Sequence, residues 1–193
     1  MQAEDRKIIE SIKAGGLDEF AKLYDAYVKK IYNFIYFRTH HKETAEDLTS
    51  QVFFKALEKI RQFDETRGAF SSWLYRIARN TVIDHYRTKK EEANFDEAYT
   101  KASHANLNEQ IDAKNVIEEV GKYLDILRPE QKEIIIMRVW DELTYQEISE
   151  ITGKSEGSLK MMFSRTMGEL RRELPLAIFI VFIIGGKFYG RYH

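Results

Sequence analysis

From Phe20 onward apolar side chains return every three or four positions, and only two prolines, Pro129 and Pro175, interrupt a chain of 193 residues. Leu23, Tyr24, Tyr27, Val28, Ile31, Phe34 and Ile35 trace one face of a helix, because 3.6 residues complete a turn. A second stripe runs through Leu48, Val52, Phe53, Ala56, Leu57 and Ile60. A third spans Phe70 to about Arg87 and is rich in aromatic and basic residues. Between the second and third, Asp64-Glu65-Thr66-Arg67-Gly68 has the composition of a turn. With 44% hydrophobic residues and ten scattered glycines, this pattern predicts an all-α protein with a packed core.

The periodicity fails over residues 91–113, which are polar, acidic and thinly apolar, as a flexible linker would be. It resumes with Val116, Ile117, Val120, Leu124 and Leu127. Pro129 suits the first turn of the next helix, where its missing N–H does no harm. The expected organisation is two small helical domains, 1–90 and 114–174, joined by the linker 91–113, with an apolar extension over 175–193. Leu176–Ile184 is continuously apolar but too short for a bilayer span of ~20 residues. Docking or packing of this extension is favoured over membrane association.

Net charge is −1, yet it is unevenly distributed. Residues 61–90 carry seven basic and three acidic groups, whereas 91–133 carry five and eleven. That asymmetry implies a directed basic surface and not general adhesion to polyanions. The absence of cysteine excludes disulfides, thiol catalysis and cysteine-bound zinc. The five histidines show no metal-ligand spacing, and no phosphate-binding glycine loop or nucleophile motif is present. No enzyme activity, metal or cofactor is therefore expected. Met1–Gly15 is charged and polar, unlike a signal peptide, which suits a cytoplasmic protein.

Residues 143–173 carry the sharpest local signal. Thr144 followed by Glu147 forms a capping box that starts a helix, with Ile148 and Ile151 facing inward. Gly153 supplies the left-handed residue that ends it. Ser155 caps a second helix, in which Leu159, Met162, Phe163 and Leu170 face the core. This is a helix-turn-helix layout, whose second helix enters the major groove. Ser158, Lys160, Met161, Ser164 and Arg165 fall mainly on its outer face, where hydroxyls and cations reach phosphates and base edges. By itself the motif says only that DNA is bound, so a stand-alone helix-turn-helix regulator is the alternative reading.

Taken together, the segments resemble a sigma factor of the extracytoplasmic-function group, which keeps only regions two and four of the sigma-70 family. FAKLYDAYVKKIYNFIYFR resembles the opening helix of region two, and AEDLTSQVFFKALEKI resembles region 2.2. GAFSSWLYRIARNTVIDHYRTKK resembles regions 2.3 and 2.4, and LRPEQKEIIIMRVWDELTYQEISEITGKSEGSLKMMFSRTMGELRREL resembles region four. The resemblance implies a transcription initiation factor that binds core RNA polymerase, at its clamp and flap, and directs it to −10 and −35 promoter elements while helping to melt DNA. It also implies an anti-sigma partner.

The same resemblance assigns roles to residues. Asp47, Leu48, Gln51, Phe54 and Lys55 would contact core polymerase, with Gln51 standing where the family usually has an acidic residue; Val52 is read as core. Tyr75, Arg76, Arg79, Asn80, Arg87, Lys89 and Lys90 would bind the −10 element, where capturing an unstacked base needs aromatic or amide groups beside cations. Trp73 is read as core and Asp84 as a partner of a nearby arginine. Ser155, Ser158, Lys160, Met161, Ser164 and Arg165 would bind the −35 element. Met161 and Met162 depart from the usual pattern, which has Ser and Arg there, so one cation is missing.

Overall fold

The computed structural model describes residues 2–95, 124 and 127–174. The remainder of the expected linker, the stripe residues Val116, Ile117 and Val120, and the apolar extension 175–193 lie outside them. All regular structure among the described residues is helical. α1 spans Gln2–Lys13, α2 Phe20–Thr39, α3 Lys42–Lys59 and α4 Phe70–Phe95. The second module contains α5 (Pro129–Ile135), which continues into a π-helical turn over Ile136–Trp140, then α6 (Tyr145–Thr152) and α7 (Glu156–Glu173). None of these helices is long and apolar enough to cross a membrane.

The first three apolar stripes become α2, α3 and α4, which pack into one core. α2 buries Leu23, Tyr27, Ile31, Phe34, Ile35 and Phe37, and α3 buries Ala45, Leu48, Val52, Phe53 and Ala56. Burial of each large aliphatic or aromatic side chain contributes about 1.5–3 kcal/mol. Two stripe residues turn outward instead: Tyr24 and Leu57 remain exposed. α2 reverses into α3 at His40, which adopts φ 50 without being glycine and donates its N–H to Tyr36 O at 2.8 Å. His41 then caps α3, accepting from Thr44 N. The expected turn at Asp64–Gly68 is a single 3-10 turn. Asp64 accepts from Thr66 N and Oγ1 at 3.0 and 2.7 Å, and these bonds hold its carboxyl below the usual range. Gly68 (φ 134) closes the turn.

α1 had no counterpart in the sequence reading. It covers one end of the core with Ile9 and Ile12, and its buried Asp5 accepts a 2.5 Å hydrogen bond from Tyr27 Oη. Burial raises the pKa of Asp5, opposed by the Tyr27 bond, and raises that of Tyr27 as well. A second difference is the end of α4. It continues through Phe95, so residues 91–95 are helical although composition assigned them to the linker.

Candidate polymerase- and DNA-binding surfaces

On α3, Asp47 and Gln51 are exposed, and Phe54 keeps 63% of its surface open. These three share a face with Leu57, while Tyr24 lies edge-on to Phe53 at 4.7 Å. An apolar strip with polar flanks results, of the kind that docks on a partner helix. Tyr24 and Leu57 were missed because an apolar residue beside a stripe reads as core. Two expected members do not belong. Leu48 is 3% exposed and packs in the core, so it cannot touch polymerase directly. Lys55 is half-buried and donates to Thr81 Oγ1 at 3.1 Å, which ties α3 to α4.

The helix-turn-helix forms as its caps require. Thr144 Oγ1 accepts from Glu147 N, and the Glu147 carboxylate accepts from Thr144 N at 2.8 Å. Gly153 takes φ 74 and ψ 7, and its N–H reaches Ser149 O at 2.8 Å. Ser155 accepts from Ser158 N. Ile148, Ile151, Leu159 and Leu170 are buried, with Met162 and Phe163 packed against them. The cap Ser155 and, on α7, Ser158, Lys160, Met161, Ser164 and Arg165 are all exposed. Lys160 is drawn back along its own helix: its ammonium lies 3.4 Å from Glu156 Oε2 and 5.6 Å from the centre of the Tyr145 ring.

The outer turns of α4 expose Asn80, Arg87 and Lys89, and Arg87 pairs with Asp84 at 3.5 Å. Lys90 lies on the same helix, outside the residues whose side chains are described. Trp73 is half-buried against Phe63 and Phe70, within the core's aromatic cluster.

The inner turns of α4 are covered by the second module. Glu133, buried on α5, accepts from Arg79 Nε at 2.9 Å and from Arg38 Nη1 at 3.0 Å. The Arg38 guanidinium also lies over the Phe34 ring. Trp140 packs on Phe37 with ring centres 4.2 Å apart, and Ser71 donates to Glu147. Glu150 Oε2 sits 2.6 Å from where a Cβ on Gly68 would stand. Tyr75 is fully buried between Phe34 and the buried Asp141, so in this arrangement it cannot stack on a base, contrary to the expectation. Arg76 is half-buried with its Nε enclosed. Burial pushes the Asp141 carboxyl up to about 7, an effect that the Tyr75 hydroxyl and Lys30 reduce.

The model of Sigma-70 region 2 matches residues 23–92, and that of Sigma-70, region 4 matches residues 117–170. These ranges take in the Phe54 strip and all but the last residues of α4 and of the helix-turn-helix, in a single order. The chain belongs to the sigma-70 family. Within it, the sequence is 34% identical over 174 residues to the ECF RNA polymerase sigma factor BldN of Streptomyces coelicolor, covering 88% of this chain and 65% of BldN. It is 31% identical over 185 residues to the ECF RNA polymerase sigma factor SigW of Bacillus subtilis, covering 90% of this chain and 98% of SigW. The fold matches that of CnrH in complex with the cytosolic domain of CnrY, with a TM-score of 0.68 at 19% identity over 87% of this chain and 95% of that one. It also matches RpoE bound to the anti-sigma factor NepR from Bartonella quintana, with a TM-score of 0.66 at 23% identity over 80% and 95%. This sigma factor is thus of the extracytoplasmic-function group, a promoter-specificity factor for RNA polymerase.

Proposed function

We propose that this sigma factor divides its work among three surfaces. The strip of Asp47, Gln51 and Phe54, extended by Tyr24 and Leu57, docks on the clamp of core polymerase. The basic face of α4, with Arg76, Arg79, Asn80, Arg87, Lys89 and Lys90, engages the −10 element and stabilises its separated strand. The outer face of α7 enters the major groove of the −35 element, while its module contacts the polymerase flap. The chain catalyses no step; RNA synthesis belongs to polymerase. Such a role places it in the cytoplasm.

The observation that carries this reading is Phe54, an aromatic side chain 63% exposed between polar neighbours. A helix-turn-helix regulator acting without polymerase has no use for that strip. Its removal by Phe54→Ala should weaken binding to core polymerase about tenfold or more, as loss of an aromatic anchor does. Binding of a labelled chain to purified core measures this; unchanged affinity in a folded variant would remove the strip from the interface.

Arg79 cannot neutralise a DNA phosphate while it holds Glu133. Promoter engagement on this reading separates the second module from α4. An anti-sigma protein is the natural partner for such a chain, as NepR is for RpoE in the matching structure.

A further inference from the structure

α7 exposes a methionine where a DNA reader gains most from polar groups. Met161 is 53% exposed, with Ser158 one turn before it and Ser164 and Arg165 one turn after. The spacing of three, three and four residues sets these side chains along one side of the helix. Met162 and Phe163 pack against the core, so Met161 is not needed to fill it. Lys160, the neighbouring cation, is held back by Glu156 and Tyr145. The centre of the reading face is therefore a flexible, polarizable, uncharged side chain. In the major groove the one apolar mark that separates base pairs is the C5-methyl of thymine.

We propose that Met161 is a specificity-determining residue that selects an A·T pair in the −35 element by packing on the thymine methyl. This rests on α7 being the −35 reader. Arg165, a turn further along, would supply the polar contact to a neighbouring base or phosphate. Where the family pattern has a serine, Met161 thus changes what is read: a thymine methyl in place of a hydrogen-bonding group.

The test removes only the methyl. Holoenzyme made from core polymerase and the full chain is used to select a promoter from randomised templates. Each thymine of its −35 element, on either strand, is then replaced by uracil. At one position the wild-type holoenzyme should lose about fourfold in promoter binding, the weight of one methyl group withdrawn from an apolar contact. With Met161→Ala, exposed and thus free of folding consequences, thymine and uracil should bind alike at that position. Indifference of the wild type to every replacement, or full uracil sensitivity in Met161→Ala, would overturn the proposal. So would a selected −35 element without an A·T pair. If scrambling the whole −35 element has no effect, the assignment of α7 itself fails, and that result is separable from the others.

Discussion

Arg165 and Glu133 place two charged side chains in opposite settings, one exposed on α7 and one buried between arginines. Arg165 is exposed on α7 and free to meet a base edge or phosphate. Arg165→Ala should cost about 1–3 kcal/mol of promoter binding, seen as weaker −35-dependent transcription; unchanged output from the folded variant would exclude that contact. Glu133 is buried and accepts from two arginines, Arg38 and Arg79, and on the proposed reading its carboxylate competes with a DNA phosphate for Arg79. Removing one partner of such a group strands the other charges, at about 3–5 kcal/mol. Glu133→Gln keeps shape and hydrogen bonding but lowers the charge. It should raise the affinity of the free chain for a single-stranded −10 oligonucleotide, most strongly at low salt. A variant that binds no better would mean that this pair does not limit access to α4. The exposed face of α7 could be picked out from sequence by helical phase. Tyr75 could not, because an aromatic residue among cations looks the same whether it faces DNA or lies under another module.

At the level of the helix, the best-read element was the helix-turn-helix, since its signals are local. Capping boxes and a left-handed glycine act within four residues, and Thr144, Glu147, Gly153 and Ser155 make the bonds that their types imply. Thr144→Ala should destabilise the second module by about 1 kcal/mol, measured by denaturant unfolding, because the α6 N-terminus loses an acceptor. Gly153→Ala should cost a similar amount, since φ 74 is strained for a residue with a Cβ, although no atom stands in the way of one. A neutral result for both would show that the turn is held by packing alone. The end of α4 was harder to see. Residues 91–95 carry the acidic, apolar-poor composition of a linker, and helix propagation from a well-packed start extends through them regardless. α1 escaped notice for a related reason: Ile9 and Ile12 are too few to make a stripe, and tertiary burial supplies the rest.

Over the whole molecule, the two modules expected from sequence are joined by contacts that no periodicity encodes. Phe37 on Trp140, Arg38 and Arg79 on Glu133, and Tyr75 beside Asp141 each pair residues about 50 to 100 positions apart in the chain. Asp141 makes this packing pH-dependent. Its carboxyl is raised to about 7 against 3.8 for an exposed aspartate, so the packed form holds a proton that the separated form releases. Packing is accordingly strongest below about pH 4 from this group, weakens as pH rises toward about 7, and changes no further above it. Thermal unfolding should show the chain losing stability between about pH 4 and 7, and Asp141→Asn should flatten that slope; an equal slope in the variant would assign it elsewhere. Burial sets the size of the effect, and the Tyr75 hydroxyl on α4 and Lys30 on α2 reduce it.

Run-off transcription with purified core polymerase, with and without this chain, on a pool of promoter-containing DNA tests the central claim most directly. Discrete start sites should appear only when the chain is present, sharing two elements at a common spacing, and Phe54→Ala should diminish them all. If core polymerase gains no initiation while the chain alone retains a specific duplex, it is a DNA-binding regulator and not a working sigma factor.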